Sequence, residues 1–268
     1  MTGFFSDWKR RRILARHQIP EEVWAKGLEL LPLLDTLDEI ERRKLREVAT
    51  LFLHEKHFEG GSGFTVEPTH KIVIALLACL PVLELGLDAL AGWSSIVVYK
   101  DEFKNHEEWV DEQGIAHVDR SAQAGQTVPG GPLLLSWADV VQSAEDPYDG
   151  YNVVIHEVAH KLDMLNGGEA DGIPPLHPDM DAAAFKTVFS KSFDDLCHRL
   201  DLGEESGIDE YATENESEFF AVMVETFFEA PDIVETEYPA VYEQLMLLFR
   251  QDPLRRLPAP EEPDPEHQ

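Results

Sequence analysis

Cysteine is almost missing from this chain: Cys79 and Cys197 are the only two in 268 residues, and each sits in an apolar or helical context. A disulfide framework is therefore not indicated, a reducing compartment fits, and any metal site has to use histidine and carboxylate ligands. Positive charge is also scarce, with 22 Lys and Arg against 52 Asp and Glu and a formal net charge of -30. Such a balance repels nucleic-acid backbones and anionic lipid surfaces, so neither is expected as a direct partner. Long apolar runs are absent as well. The longest, "IVIALLACLPVL" at 72–83, is too short to cross a bilayer and carries Pro81 near its end, so it reads as a buried helix. The basic "MTGFFSDWKRRRILARHQIP" at the start is followed by no apolar stretch or small-residue cleavage site, and no signal peptide is expected. A cytoplasmic protein is the expectation, and 43% hydrophobic residues suffice for a sizeable core.

What is present is helical at both ends. Helices are predicted over 4–16, 20–32, 36–57 and about 69–83, the last apolar nearly all round, with "EGGSGFTVEP" at 59–68 breaking the pattern. The period then changes: "SSIVVY" at 94–99, "IAHV" at 115–118 and "PLLLSW" at 132–137 read as short strands. Helical spacing returns at 151–165, 179–201, 214–229 and 238–250, with a Gly- and Pro-containing loop at 166–178. The reading is an α+β fold, mostly helical, with a small mixed β-sheet. Residues 1–92 form a helical region packed on a core region at 93–256, in one structural domain overall. The segment from Leu257, "LPAPEEPDPEHQ", has four prolines and four acids and is expected to be a disordered tail.

Within "YNVVIHEVAHKLDML" the chain spells His156-Glu157-Val158-Ala159-His160. The chain's own His and Glu frequencies make a chance match to HExxH roughly a one-in-twenty event, so context must decide. Residues four apart share a helix face, so both imidazoles can address one ion, while Glu157 is placed to hold a water without being a ligand. A catalytic zinc normally takes a third protein ligand. At the positions where a metzincin has its Gly and third His stand Asp163 and Asn166, which excludes that subclass. A carboxylate on a later helix, the gluzincin arrangement, is then expected from "YATENESEFFAVMVETFF" at 211–228.

There Thr213 and Glu216 read as a capping box, which gives Glu214 and Glu216 capping or solvent roles. Glu218 leads directly into apolar "FFAVM", where an unpartnered carboxylate would be costly, and is the candidate third ligand. Glu225, two turns on, is the runner-up or a supporting residue. Asp163 is read either as the acceptor of a ligand histidine's other ring N–H or as a helix-end hydrogen bonder. Tyr211 is read either as a donor to an oxyanion or as a phenol packed at a helix entrance.

These pieces resemble a known family, the Mlc titration factor A family of zinc-dependent peptidases, whose catalytic core is similar to that of anthrax lethal factor. "HEVAHKLDML", "YATENESEFFAV", "QDPLRRL" at 251–257, "ALLACLPVLELG" and "LLLSWADV" carry the resemblance, which covers most of the chain. It implies that His156, His160 and Glu218 hold one zinc ion, that Glu157 is the general base and that Tyr211 stabilises the oxyanion. The very acidic balance and tail depart from the family pattern.

Two functions follow as expectations. One is a zinc metallopeptidase, with an aminopeptidase as its narrower form, acting on a peptide or protein substrate by a metal-activated water. An extended substrate would add to "PLLLSW" as an exposed sheet edge. From Leu200 to Phe249 there are fourteen acids and no Lys or Arg, read as a solvated acidic surface or as a field favouring basic peptides and free amino termini. The other function, implied by the resemblance, is a regulatory protein that sequesters a transcriptional repressor of the Mlc type without cleaving it.

Overall fold

The computed structural model describes residues 2–101, 103–104, 107–110, 116–119, 122–123, 125–127 and 130–257. In chain order the elements are α1 (Thr2–Arg16), α2 (Glu21–Glu29), α3 (Glu39–Glu55), β1 (His57–Gly60), α4 (Pro68–Cys79) and β2 (Ser95–Tyr99). Then come β3 (Phe103–Lys104), β4 (Glu107–Val110), β5 (Ala116–Asp119), β6 (Ala122–Gln123), β7 (Gly125–Thr127) and β8 (Leu133–Ser136). The chain continues as α5 (Trp137–Glu145), α6 (Val153–Asp163), α7 (Ala182–Asp201), α8 (Glu216–Glu229), α9 (Pro231–Glu237) and α10 (Pro239–Phe249). The mostly helical α+β reading holds, with strands at each of the three predicted places. The tail expected to be disordered lies, beyond Leu257, outside the described residues.

Helix α4 starts with Pro68 at a position whose N–H needs no partner, and every residue from Ile72 to Cys79 is buried. It is apolar all round because neighbours cover it on every side. One is α2, where a Cβ on Gly27 would come within 2.7 Å of Leu76 Cδ1, so any larger residue would force the Leu76 and Ile72 side chains to shift. Helix α3 is fixed at its start by Asp38, whose side chain accepts the N–H groups of Ile40 and Glu41 while Glu41 returns a bond to Asp38 N. Leu45, Ala49 and Phe52 of α3 are fully buried.

The main sheet has the order β1-β2-β8-β7, with β1, β2 and β8 parallel and β7 antiparallel to β8. Ile96 and Val98 pair in register with Leu133 and Leu135, and all four are fully buried. β8 therefore lies inside the sheet, between β2 and β7, and the expectation that "PLLLSW" forms the exposed edge is corrected. The edges are β1 and β7. Two small antiparallel pairs, β3 with β6 and β4 with β5, lie in the chain between β2 and β7.

Helices α7, α8 and α10 enclose an aromatic core. Phe185 stacks on Phe189 with ring centroids 4.3 Å apart, Phe189 meets Phe219 and Phe220, and Phe227 packs against Phe228, Tyr242 and Phe249. This places α8 at the centre of the C-terminal half, with α6 packed along it. No helix among the described residues is long and apolar enough to cross a membrane.

Candidate metal centre

Helix α6 begins inside the protein, and its first N–H groups find side-chain acceptors. Val153 N donates to Ser143 Oγ at 3.1 Å and Ile155 N to Asn152 Oδ1 at 3.1 Å. The helix can thus run through the core and still present His156 and His160 on one face. Helix α8 is capped by Asn215, whose Oδ1 accepts the N–H groups of Ser217 and Glu218, both at 3.0 Å. The expected capping box of Thr213 with Glu216 is corrected: Thr213 Oγ1 donates instead to Glu210 O at 2.8 Å, closing the preceding turn. Asn, the better cap, wins two residues later. Glu218 becomes the third residue of α8, where its side chain reaches both histidines.

Three donor atoms converge. Glu218 Oε2 lies 3.0 Å from His156 Nε2 and 3.2 Å from His160 Nε2, and the two nitrogens are 3.1 Å apart. Ligands held tetrahedrally at zinc's usual bond lengths stand roughly 3.3 Å from one another, so this triangle is nearly one face of such a site. His156, His160 and Glu218 are the group among the described residues that could hold a metal ion. The far side of each ring is also engaged. Glu225 Oε1 is 3.1 Å from His156 Nδ1, and Ser217 Oγ is 3.1 Å from His160 Nδ1. Partners at Nδ1 leave each Nε2 free to offer its lone pair. The residues fit a zinc-type ion.

Charge is strongly coupled here. Burial disfavours the charged His156 ring, but the carboxylates of Glu225, Glu218 and Glu157 outweigh burial and hold its pKa well above the usual value. Burial raises Glu218, and the bonds from His156 and His160 overcome this, bringing it down to about 2. Glu225 is raised by burial, which its bond to His156 only partly offsets.

The remaining expected residues divide. Glu157 is buried in α6, and its charge is felt by both His156 and Tyr211. The Tyr211 ring is 6.0 Å from the His156 ring and remains 51% exposed, so it borders the centre from the solvent side. Burial, and then the charges of Glu218 and Glu157, push its phenol up to about 12. Asp163 makes no hydrogen bond to a histidine among the described residues. It is fully buried, its Oδ2 accepts Gly172 N–H at 2.7 Å, and burial raises it to about 6. Gly172 has φ +79°, and a Cβ there would come within 2.5 Å of Glu216 O. Asp163 thus ties the loop after α6 to the first turn of α8. That is the helix-end reading.

Ser217, Asn152 and Glu229 escaped the sequence reading. The last had a signal: Glu218, Glu225 and Glu229 are spaced seven and four apart in an otherwise apolar helix.

The fold brings together, between two buried helices, a two-histidine, one-carboxylate cluster that could hold a metal ion. Over residues 5–250 the sequence matches the family described as glucose-regulated metallo-peptidase M90. It is 39% identical over 238 residues to Mlc titration factor A of Yersinia pestis (strain Pestoides F), covering 87% of this chain and 86% of that protein. The identity and coverage are the same for Mlc titration factor A of Yersinia pseudotuberculosis serotype O:1b (strain IP 31758). The chain belongs to the glucose-regulated metallo-peptidase M90 family. That membership implies a metal ion.

Proposed function

We propose that this chain is a zinc-dependent peptidase with a gluzincin-type core, in which His156, His160 and Glu218 hold one zinc ion. The observation that carries the reading is the triangle of 3.0, 3.1 and 3.2 Å between the three donor atoms, backed by Glu225 and Ser217 on the far ring nitrogens. A bound zinc ion would supply Lewis acidity toward a peptide carbonyl and toward water. Glu157 takes a proton from the attacking water and later delivers it to the leaving amine. Tyr211 donates a hydrogen bond to the oxygen that gains charge. An extended substrate pairs with β7, the sheet edge beside α6. Exposed Asp209, Glu210 and Glu214 flank Tyr211 and favour a free amino terminus, which suits an aminopeptidase. The protein works in the cytoplasm.

The test is metal analysis beside an assay on aminoacyl and blocked peptides. Purified protein should carry about one zinc per chain. His160→Ala should lose it, and Glu157→Gln should keep it while kcat falls by about 10²- to 10⁴-fold. Full zinc occupancy in His160→Ala would sink the ligand assignment.

A second reading draws on the relatives' name, Mlc titration factor A. In it this chain binds a repressor of the Mlc type and sequesters it. If Glu157→Gln still releases a reporter from repression, regulation proceeds without cleavage.

A further inference from the structure

The acids of α8 continue past the metal centre. Glu218, Glu225 and Glu229 follow one helix face, and each bonds a different level of α6 or its entrance. Glu218 meets His156 and His160. Glu225 meets His156 through Oε1, and its Oε2 accepts the backbone N–H of Asn152 at 2.9 Å. Glu229 lies one turn beyond Glu225 and is fully buried. Its Oε1 accepts Asn152 Nδ2–H at 2.6 Å, and its Oε2 accepts the N–H of Tyr148 at 3.1 Å. Tyr148 has φ +76°, an uncommon conformation for a non-glycine residue, so the Glu229 bond fixes a strained entrance to α6. Asn152 completes the ladder, because its Oδ1 caps α6 at Ile155, the residue before His156.

Asn152 and Glu229 are both fully buried. A carboxylate buried without a cation is costly, and an apolar side chain would pack there with less penalty. What the acid adds is a pair of directed bonds, both aimed at the segment that leads into the catalytic helix. We propose that Glu229 is a positioning residue of the metal centre: through Asn152 it sets the start and rotation of α6, and so the direction in which His156 presents Nε2. The proposal rests on His156, His160 and Glu218 being the metal ligands.

Three variants of the full chain test it: Glu229→Gln, Asn152→Asp, and the two together. The first sets an amide against an amide and the second a carboxylate against a carboxylate. The double variant exchanges the two groups, so that one donor again faces one acceptor, α6 keeps a capping oxygen and the Tyr148 N–H keeps its acceptor. The readouts are Co²⁺ affinity by chelator competition, the visible absorption of the cobalt-loaded protein, and the thermal midpoint. Each single change should weaken Co²⁺ binding about tenfold and alter the visible band, and the double change should return both to within about threefold of wild type. Single variants that melt earlier yet bind Co²⁺ with wild-type affinity and spectrum would overturn the proposal, as would a double variant no better than either single. Should a single variant not fold, the double variant decides alone: a wild-type band supports the role and an altered band overturns it. A wild-type chain that takes up no Co²⁺ overturns the metal-centre reading itself, whereas normal loading beside indifferent variants overturns only the role of Glu229.

Discussion

Tyr211 and Glu157 border the candidate centre from opposite environments: the phenol is half exposed at the rim, and the carboxylate is buried in α6. A donor at the rim touches no ligand bond. Tyr211→Phe is therefore expected to lower kcat about 10²-fold while zinc content and thermal midpoint stay at wild-type values, as read by a kinetic assay, metal analysis and a melt. Zinc loss in this variant would mean that the phenol supports the ligands instead. The clustering of His156, His160 and Glu218 was legible in the sequence, because helical spacing is local and an acid entering an apolar run is conspicuous. Asn152 and Ser217 stayed hidden, since a buried Asn or Ser looks like any capping residue until the partner across the interface is known. Asp163 shows the same limit from the other side. Its spacing from His160 suits a ring contact, yet the backbone of Gly172, nine residues on, takes the carboxylate.

At the scale of elements, the longer helices and two inner strands were readable from periodicity, while the nine-residue α5, the short α9 and the strand β1 were not. β1 is "HFEG", without a branched aliphatic residue, and α9 is seven residues between two prolines. From its sequence β8 reads as an edge because edge status depends on β7, whose "GQT" carries no strand signature. Between α8 and α6, Glu229 gives a pH dependence with a definite sign. Burial lifts it from 4.5 to about 7 against the bonds from Asn152 and Tyr148, with Asp149 and Glu225 adding to the rise. The folded chain holds this proton where the unfolded chain has released it. The stability it contributes is complete below about pH 4.5 and is lost as pH rises through 7. In urea titrations of metal-free protein, the stability difference between wild type and Glu229→Gln should shift against wild type by about 2 to 3 kcal/mol between about pH 5 and pH 8. A difference flat across that range would show that the carboxylate titrates as in an unfolded chain. The cap of α8 is testable too: Asn215→Ala should cost about 1 kcal/mol in the same titrations.

Over the whole molecule, a charge of -30 sets 52 acids against 22 bases, and self-repulsion should lower the melting temperature at low salt. Raising sodium chloride from about 0.05 to 0.5 M should lift the thermal midpoint by about 5 °C; no change would mean that local bonds already neutralise the field. Half-buried Arg256 and buried Gln251 act as long-range ties. Arg256 donates to Glu41 Oε1 from Nε and Nη2 at 3.0 and 2.8 Å, and Gln251 Nε2 donates to the carbonyls of Leu80 and Pro81. "QDPLRRL" thereby fastens the C-terminal end to α3 and to the end of α4. We propose on this basis that residues 1–92 and 93–256 unfold together, so that tryptophan fluorescence and far-ultraviolet circular dichroism trace one transition. The ladder between α6 and α8 has a mechanical consequence. Bonds at His160, His156, Asn152 and Tyr148 tie α8 to α6 and its entrance at four successive levels, so bending one helix alone would have to break some of them. Tyr211 lies outside that set of bonds, on the short turn Glu210–Thr213 at the exposed border of the histidine pair.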